Sequence, residues 1–256
     1  FHVYPETPAG AEDGRDFASV NLAVDQLISE ITQSLKAINP AILIEFRQKY
    51  IGPRLRKIGN MFRAFDCPND SVTNRLRTTD VRLLAGSSRV HSDMITWHPE
   101  ETTEIAALQL NSILFSVPQI SVRLAEQSEQ HLRMIRFYTD YFNTNRELLM
   151  HGNFRAHSPL ENYPLLSVSN NSKVIYGCYG DQVISLSETV ANVDIINGRM
   201  GEELILKMAH PIGRCLVRIY DCYGNFSDRE QQLLSGMHVF QVPPSGVLSL
   251  RSTQSI

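Results

Sequence analysis

The fold is decided by one short stretch of the sequence, Phe62-Arg63-Ala64-Phe65-Asp66-Cys67-Pro68-Asn69-Asp70-Ser71. Its pattern predicts a buried strand over residues 60–65 that ends in an acid, then a tight turn, then a helix that begins at Asp70. An Asp at the carboxyl end of a strand that leads into a helix occupies the place where barrel-type α/β enzymes carry catalytic groups. Asp and Asn are also ordinary turn and N-cap residues, so position alone makes Asp66 a candidate and no more.

Strand and helix patterns alternate on both sides of this stretch. Apolar residues at helical spacing predict a helix over residues 17–38, and the continuous apolar run at residues 41–46 predicts a strand buried on both faces. Further elements follow in turn: strands at 89–93 and 112–117, helices at 70–84 and 101–111, and a long amphipathic helix that Gly152 ends. This alternation predicts a parallel sheet with helical crossovers.

The residues after Gly152 form short apolar runs separated by Gly, Asn, Asp and Pro. This spacing predicts a small antiparallel β-sandwich. We therefore expect two domains, a partial (β/α) barrel over residues 1–152 and a β-sandwich over residues 153–256. The runs that predict strands in the second domain are 174–176, 182–186, 193–196, 203–207, 215–220, 238–242 and 247–250.

The number of strands predicted in the first region limits the choice of fold. There are four, whereas a closed α/β barrel needs eight. A half-barrel would leave two strand edges and one apolar sheet face exposed. We therefore expect an α/β chain that is the carboxyl-terminal half of a (β/α)8 barrel followed by the β-sandwich. Its expected partner is the missing amino-terminal half-barrel or a second copy. A small open sheet covered on both faces is the alternative.

Composition narrows the classes of function. A formal net charge of -3 over 256 residues gives no electrostatic argument for nucleic acid or an anionic membrane as a partner. No apolar run approaches the ~20 residues that a membrane-spanning helix needs. Any targeting signal would lie upstream of this sequence, and the compartment is open, with a periplasmic or secreted location our guess for the full-length protein.

The four cysteines are scattered and contain no CxxC pair, so their spacing does not predict a zinc site. A disulfide between Cys215 and Cys222 is conceivable across a hairpin, but free, mostly buried thiols are favoured. We expect no metal and no organic cofactor.

Polar side chains gather at the carboxyl ends of the predicted strands. The four strands, in chain order, offer Glu45, Arg47, Gln48 and Tyr50, then Arg63 and Asp66, then His91, Asp93 and Trp97, then Gln119. Acids, guanidinium groups and an aromatic surface at one mouth suit a polyhydroxylated ligand. Each residue also has a structural interpretation, because arginines pair with acids, histidines are often partly buried, and a lone tryptophan usually packs.

The order of these segments resembles the clan D glycoside hydrolases, α-galactosidase-like enzymes of the family 27 and 36 type. The resemblance covers roughly residues 16–152. Residues 60–66, with Asn69-Asp70-Ser71, resemble the acid/base segment, and His91-Ser92-Asp93-Met94 is similar to the next strand. Residues 41–46 resemble the strand that delivers sugar-recognising groups, and residues 101–124 resemble the helix and final strand that close the barrel.

The resemblance implies a retaining mechanism with two carboxyl groups, in which Asp66 is the acid/base. The nucleophile would be an Asp just upstream of residue 1, so this chain alone should be nearly inactive. The substrate-binding residues would be Arg47, Gln48, Arg63, His91, Asp93, Glu45 and Trp97. Residues 47–50 replace the family's cysteine- or glycine-rich loop, and their two cations favour a sugar that carries a carboxylate or sulfate. The alternatives are a non-catalytic carbohydrate-binding module and an assembly fragment.

Overall fold

A computed structural model describes residues 16–17, 19–47, 51–67, 69–186 and 191–253 of the chain. The first part contains α1 (Val20–Ile38), β1 (Glu45–Arg47), α2 (Pro53–Ile58), β2 (Met61–Arg63), α3 (Ser71–Ala85), β3 (Arg89–Ile95), α4 (Thr103–Ile113), β4 (Val117–Ile120) and α5 (Glu129–His151). The second part contains β5 (Asn153–His157), β6 (Leu165–Ser169), β7 (Lys173–Cys178), β8 (Val183–Leu186), β9 (Asn192–Asn197), β10 (Glu203–Met208), β11 (Gly213–Tyr220), β12 (Phe226–Leu233), β13 (Gly236–Gln241) and β14 (Val247–Ser252).

Strands β1 to β4 form a parallel sheet in chain order, which confirms the predicted parallel sheet with helical crossovers. Residues that alternate along the strands point to opposite faces. On one face, Phe62 and Val90 are buried against Val81 and Ala85 of α3. This contact holds α3 on the sheet and gives the turn between β2 and α3 its position.

The opposite face of the parallel sheet is charged, which corrects our expectation of an exposed apolar face. Register places Arg47 beside Arg63, and Arg63 beside His91. Glu45, two residues before Arg47, lies on the same face. Among the described residues, none of the helices other than α3 and α4 packs closely on β1 to β4. A charged face tolerates contact with water, so this sheet does not need an apolar cover here.

Two predicted strands were placed too early in the sequence. The run 41–46 yields only the short β1, and Leu43 is 56% exposed, so this strand is not buried on both faces. Ser112 and Ile113 belong to α4 rather than to a strand, because Leu110, Ile113 and Leu114 pack as one buried helical stripe. The strand that follows them begins at Val117.

The second part contains a seven-stranded sheet, β12-β11-β14-β9-β7-β6-β5, and a three-stranded sheet, β13-β10-β8. The expectation of purely antiparallel pairing was wrong, since β7 pairs with β9, and β8 with β10, in parallel. Strands β5, β6 and β12 were not predicted. β12 was missed because its sequence, FSDREQQL, is polar and largely exposed.

Both faces of the seven-stranded sheet pack against other elements, and one of them does so over only part of its width. One face packs against α4 and α5, where Leu166 and Ile175 of the sheet meet Tyr138 and Leu149 of α5. The other face packs against the three-stranded sheet, where Ile195 and Leu248 meet Leu206 and Phe240. Helices α4 and α5 and the strands of the second part therefore share a continuous apolar core.

All four cysteines are buried free thiols, in agreement with the favoured prediction. Within the described ranges, no helix combines the length and the apolar character that crossing a bilayer would require. In the same part of the chain, no three His, Cys, Asp or Glu side chains are grouped so that they could hold a metal ion.

Candidate functional site

Six of the predicted site residues converge at the carboxyl edge of the parallel sheet. β1 supplies Glu45 and Arg47, β2 ends at Arg63, and β3 supplies His91 and Asp93, while Asp66 lies in the turn after β2. We call this group, Glu45, Arg47, Arg63, Asp66, His91 and Asp93, the Arg63 cluster. Parallel strands bring these side chains together because their carboxyl ends lie at one edge of the sheet.

Arg63 is the centre of the cluster, and its side chain is only 8% exposed. Its Nη2 donates to Asp66 Oδ1 at 2.7 Å, and its Nη1 lies 3.4 Å from Asp93 Oδ1. Its Nε lies 3.9 Å from Glu45 Oε1. One planar guanidinium thus faces three carboxylates, which its fixed fork of donors is suited to do.

Asp66 is the most accessible acid of the cluster, with half of its side chain exposed. Arg47 Nη1 donates to its second oxygen, Oδ2, at 3.0 Å. Arg77 of α3 donates to the backbone oxygen of Asp66 at 2.5 Å. The Asp66 backbone is therefore tied to α3, while its carboxylate faces outward between two arginines.

The turn after Asp66 is held by local hydrogen bonds. Asn69 adopts the left-handed backbone conformation that asparagine tolerates better than most residues. Asp70 caps α3 by accepting a hydrogen bond from the Thr73 amide at 2.9 Å, which confirms the predicted N-cap. This hydrogen bond lowers the pKa of Asp70.

Glu45 and His91 form a second pair beside Arg63. His91 Nε2 lies 2.6 Å from Glu45 Oε2, and His91 Nδ1 lies 3.0 Å from the Ser92 carbonyl oxygen. Glu45 therefore accepts from the imidazole while also facing Arg63. Both side chains are partly buried, so this pair shapes one wall of the site.

Asp93 is the buried acid of the cluster, with no exposed surface. Its Oδ2 accepts a hydrogen bond from the Cys67 amide at 2.5 Å, which joins β3 to the turn after β2. Asn74 of α3 bonds the Asp93 backbone twice, at 3.2 Å each. Burial, with the Asp93 charge adding to it, raises the pKa of the Cys67 thiol to about 11, so this cysteine is not a nucleophile at neutral pH.

Two buried polar atoms of the cluster, Arg63 Nε and Asp93 Oδ1, make no hydrogen bond within the described part of the chain. Buried polar groups of proteins are almost always hydrogen-bonded, so each exception needs an explanation. Both atoms face an ionic partner instead, with Arg63 Nε 3.9 Å from Glu45 Oε1 and Asp93 Oδ1 3.4 Å from Arg63 Nη1.

Two predicted residues fall outside the cluster. Trp97 packs in the core, where it is 7% exposed, its Nε1 donates to Gln127 Oε1 at 2.8 Å, and its ring lies 6.0 Å from the His131 ring. The structure therefore does not bring Trp97 to the mouth as an aromatic surface. Gln48 lies outside the described residues.

Asn74 and Arg77 position the site, and the sequence analysis did not identify them. Asn74 occupies the buried stripe of α3 that also contains Thr78 and Val81. A polar residue in such a stripe is a signal that it has a specific partner. Arg77 carries no comparable signal, because an arginine in a helix is usually solvated.

No protein-family model matches the sequence, and no curated protein matches it. Among solved structures, the chain is similar to one described as a glucosidase from Croceicoccus marinus. The identity is 10%, the match covers 97% of this chain and 68% of that chain, and the TM-score is 0.37. A similarity of this size assigns neither a family nor an activity.

Proposed function

We propose that the chain belongs to a retaining glycoside hydrolase of the α-galactosidase type, with Asp66 as acid/base. The observation that carries the proposal is the Arg63 cluster, in which three carboxylates from separate strands and turns face one buried guanidinium. Glycoside hydrolysis needs carboxyl groups held at defined separations around a sugar, and it needs no metal.

Asp66 is assigned the acid/base role because it is the most exposed acid of the cluster, at 50% of its side chain against 35% for Glu45. In the ion pair between Asp66 and Arg47, each side chain is about half exposed. An exposed ion pair contributes roughly 0–1 kcal/mol to the stability of the fold. Arg47 can therefore turn from Asp66 to a substrate hydroxyl or carboxylate at little cost. Arg63 would then hold Asp66 in place.

The remaining cluster residues are assigned to substrate binding. Glu45 would present a carboxylate oxygen to a sugar hydroxyl, and His91 would hold Glu45 through its Nε2 and contact the sugar with the edge of its ring. Asp93 is fully buried, and we assign it to orienting Arg63 and the turn that carries Asp66. Gln48, which follows Arg47 in the sequence, stays in the proposal as a substrate contact, while Trp97 would support the mouth from the core.

The nucleophile would be an Asp at the end of a strand that precedes α1. The described residues before α1 are 16, 17 and 19, and they include no strand. We propose that β1 to β4 are the last four strands of a (β/α)8 barrel, that the sandwich begins at residue 153, and that the amino-terminal half-barrel supplies the nucleophile. The 256-residue chain alone would then bind sugar without turning it over.

The test is an Asp66→Asn substitution in the full-length gene product, assayed with p-nitrophenyl and unactivated α-galactosides. We expect turnover of unactivated substrates to fall at least 100-fold, because the leaving oxygen is no longer protonated. Azide should restore turnover of the activated substrate by replacing the water that Asp66 deprotonates. Asp228→Asn is the matched control, since Asp228 is a 43% exposed acid paired with Arg218 at 2.9 Å. Unchanged turnover in Asp66→Asn would refute the assignment.

One observation favours assembly as a second function. Among the described residues, β1 is paired on one side only, and α1 exposes Leu22, Leu27 and Ile31. An unpaired edge and an apolar helix face are typical of surfaces that another segment covers. If this chain only assembles, it should form a dimer in analytical ultracentrifugation and should bind no galactoside. Sugar binding that Asp66→Asn leaves unchanged, without turnover in the full-length product, would instead indicate a binding module.

A further inference from the structure

A second polar cleft lies in the β part of the chain, away from the Arg63 cluster. It has a volume of about 350 Å³ and opens between β8 and the inner face of β5, β6 and β7. We call it the β5–β7 cleft. The three-stranded sheet ends at β8, so it leaves the last strands of the seven-stranded sheet uncovered on this side.

The inner-face side chains of the seven-stranded sheet change from apolar to polar where the three-stranded sheet no longer packs on them. In the covered part, inner-face positions such as Ile195 and Leu248 are apolar and buried. In the cleft, register places Arg155, Ser167 and Tyr176 in one row across β5, β6 and β7. Leu165 and Val174 form an apolar floor next to this row.

The cleft carries positive charge. Arg155 contributes a guanidinium that has no hydrogen bond or ion pair in the described part of the chain, and no described Asp or Glu lines the cleft. His157 lies beside it, with Nε2 at 3.2 Å from Ser167 Oγ. Burial, and next to it the charge of Arg155, lowers the pKa of His157, so Arg155 is the cation of this wall at neutral pH.

The opposite wall adds further hydrogen-bonding groups. It includes Ser185 of β8 and His210, which follows β10. Hydroxyls, two imidazoles and a phenol around an apolar floor match the mixture of a few polar groups on an apolar surface that small-molecule sites show. The volume also falls within the roughly 300–1,000 Å³ that is typical of such sites.

We propose that the β5–β7 cleft binds a single sugar unit that carries a carboxylate or sulfate. Arg155 pairs with the anionic group, the Ser167 hydroxyl bonds a sugar hydroxyl, and the Tyr176 ring lies against the sugar face. The anion part of this proposal rests on the cleft alone. That the anion is a sugar rests on the proposed glycoside hydrolase function.

The test is calorimetric titration of the 256-residue chain with D-glucuronate, D-glucose and inorganic sulfate. We expect glucuronate to bind at least tenfold more tightly than glucose, because only glucuronate carries a charge that can pair with Arg155. Arg155→Gln should weaken glucuronate binding about tenfold or more. Arg136→Gln, at an exposed arginine of α5, should leave it unchanged.

Two further measurements locate the bound anion. Arg47→Gln tests whether glucuronate binds in the Arg63 cluster instead of the β5–β7 cleft. This substitution should leave the glucuronate binding that Arg155→Gln weakens unchanged. Glucuronate should also raise the pKa of His157, followed by the NMR signals of its ring, since a nearby anion favours the charged imidazole. Asp66→Asn should leave this binding intact, so the cleft can fail or succeed independently of the catalytic proposal.

Three results would overturn the proposal. Equal glucuronate affinity in Arg155→Gln and the unmodified chain would remove the cleft as the site. Loss of binding in Arg47→Gln alone would place the anion in the Arg63 cluster. Sulfate that binds as tightly as glucuronate would show an anion site without sugar recognition.

Discussion

Replacement of Asp93 by Asn should destabilise the chain strongly, although it removes only one charge and almost no volume. Asp93 has no exposed surface, accepts from the Cys67 amide at 2.5 Å and lies 3.4 Å from Arg63 Nη1. The asparagine oxygen can still accept from Cys67, but the hydrogen bond loses its charge. Arg63, itself only 8% exposed, loses one of its counter-ions.

The magnitude follows from these contacts. Breaking a buried ion pair by removing one partner typically costs about 3–5 kcal/mol. The lower end applies here, because Arg63 keeps Asp66 at 2.7 Å. We therefore expect the free energy of unfolding to fall by about 3 kcal/mol. With a slope of about 1–3 kcal/mol per molar urea, the midpoint of urea unfolding should fall by about 1–3 M.

Two variants make this prediction specific. Asp228→Asn, at an exposed pair, should cost less than about 1 kcal/mol. In a protein that already carries Arg63→Met, Asp93→Asn should lower the free energy of unfolding far less than it does in the unmodified chain. Without Arg63, Asp93 is a buried charge that has lost its cation, so removing that charge carries little penalty. If Asp93→Asn and Asp228→Asn unfold at the same urea concentration, Asp93 does not hold Arg63, and the reasoning about the cluster is wrong.

Two further predictions concern stability. Asp70→Ala should lower the free energy of unfolding by about 1 kcal/mol through loss of the cap to Thr73. The hydrogen bond lowers the pKa of Asp70 in the folded state. The difference in stability between the two proteins should therefore be complete above about pH 4, the pKa of Asp in the unfolded chain, and should disappear as the pH falls further. A difference that persists at pH 2 in urea titrations would contradict this prediction. Asp194→Ala should cost about 3 kcal/mol, because buried Asp194 lies 2.6 Å from Lys173 Nζ and 2.7 Å from Arg251 Nη2, and a cost below 1 kcal/mol would contradict this.

Much of the first part was predictable because its signals are local. The helix that Asp70 caps, the helix that Gly152 ends and the parallel pairing of β1 to β4 all follow from spacing and caps. Element ends were less predictable. The run before β1 is apolar yet exposed, and residues 112–113 complete α4, because packing partners distant in sequence decide where an apolar run is used.

The positions of some residues of the candidate site were also predictable from the sequence, and those of others were not. Asp66, Arg63 and His91 were predictable because each lies at or near the end of a strand, where side chains of parallel strands meet. Trp97 was misplaced because its partners, Gln127 and His131, lie 30 or more residues further along the chain. A lone tryptophan after a strand gives no sign of which side of the sheet its partners will occupy.

Local sequence patterns established which residues can converge, because they indicate the order of strands and helices and caps mark where helices begin. The way these residues pair depends on contacts between segments that are distant in the sequence. The tertiary structure buried Asp93, left Asp66 exposed and set Arg63 between them, because burial depends on the contacts that α3 makes with β2 and β3. The β5–β7 cleft was also invisible in the sequence. The cleft exists because the three-stranded sheet is narrower than the seven-stranded sheet on which it packs. No local sequence pattern indicates how many strands each sheet will contain.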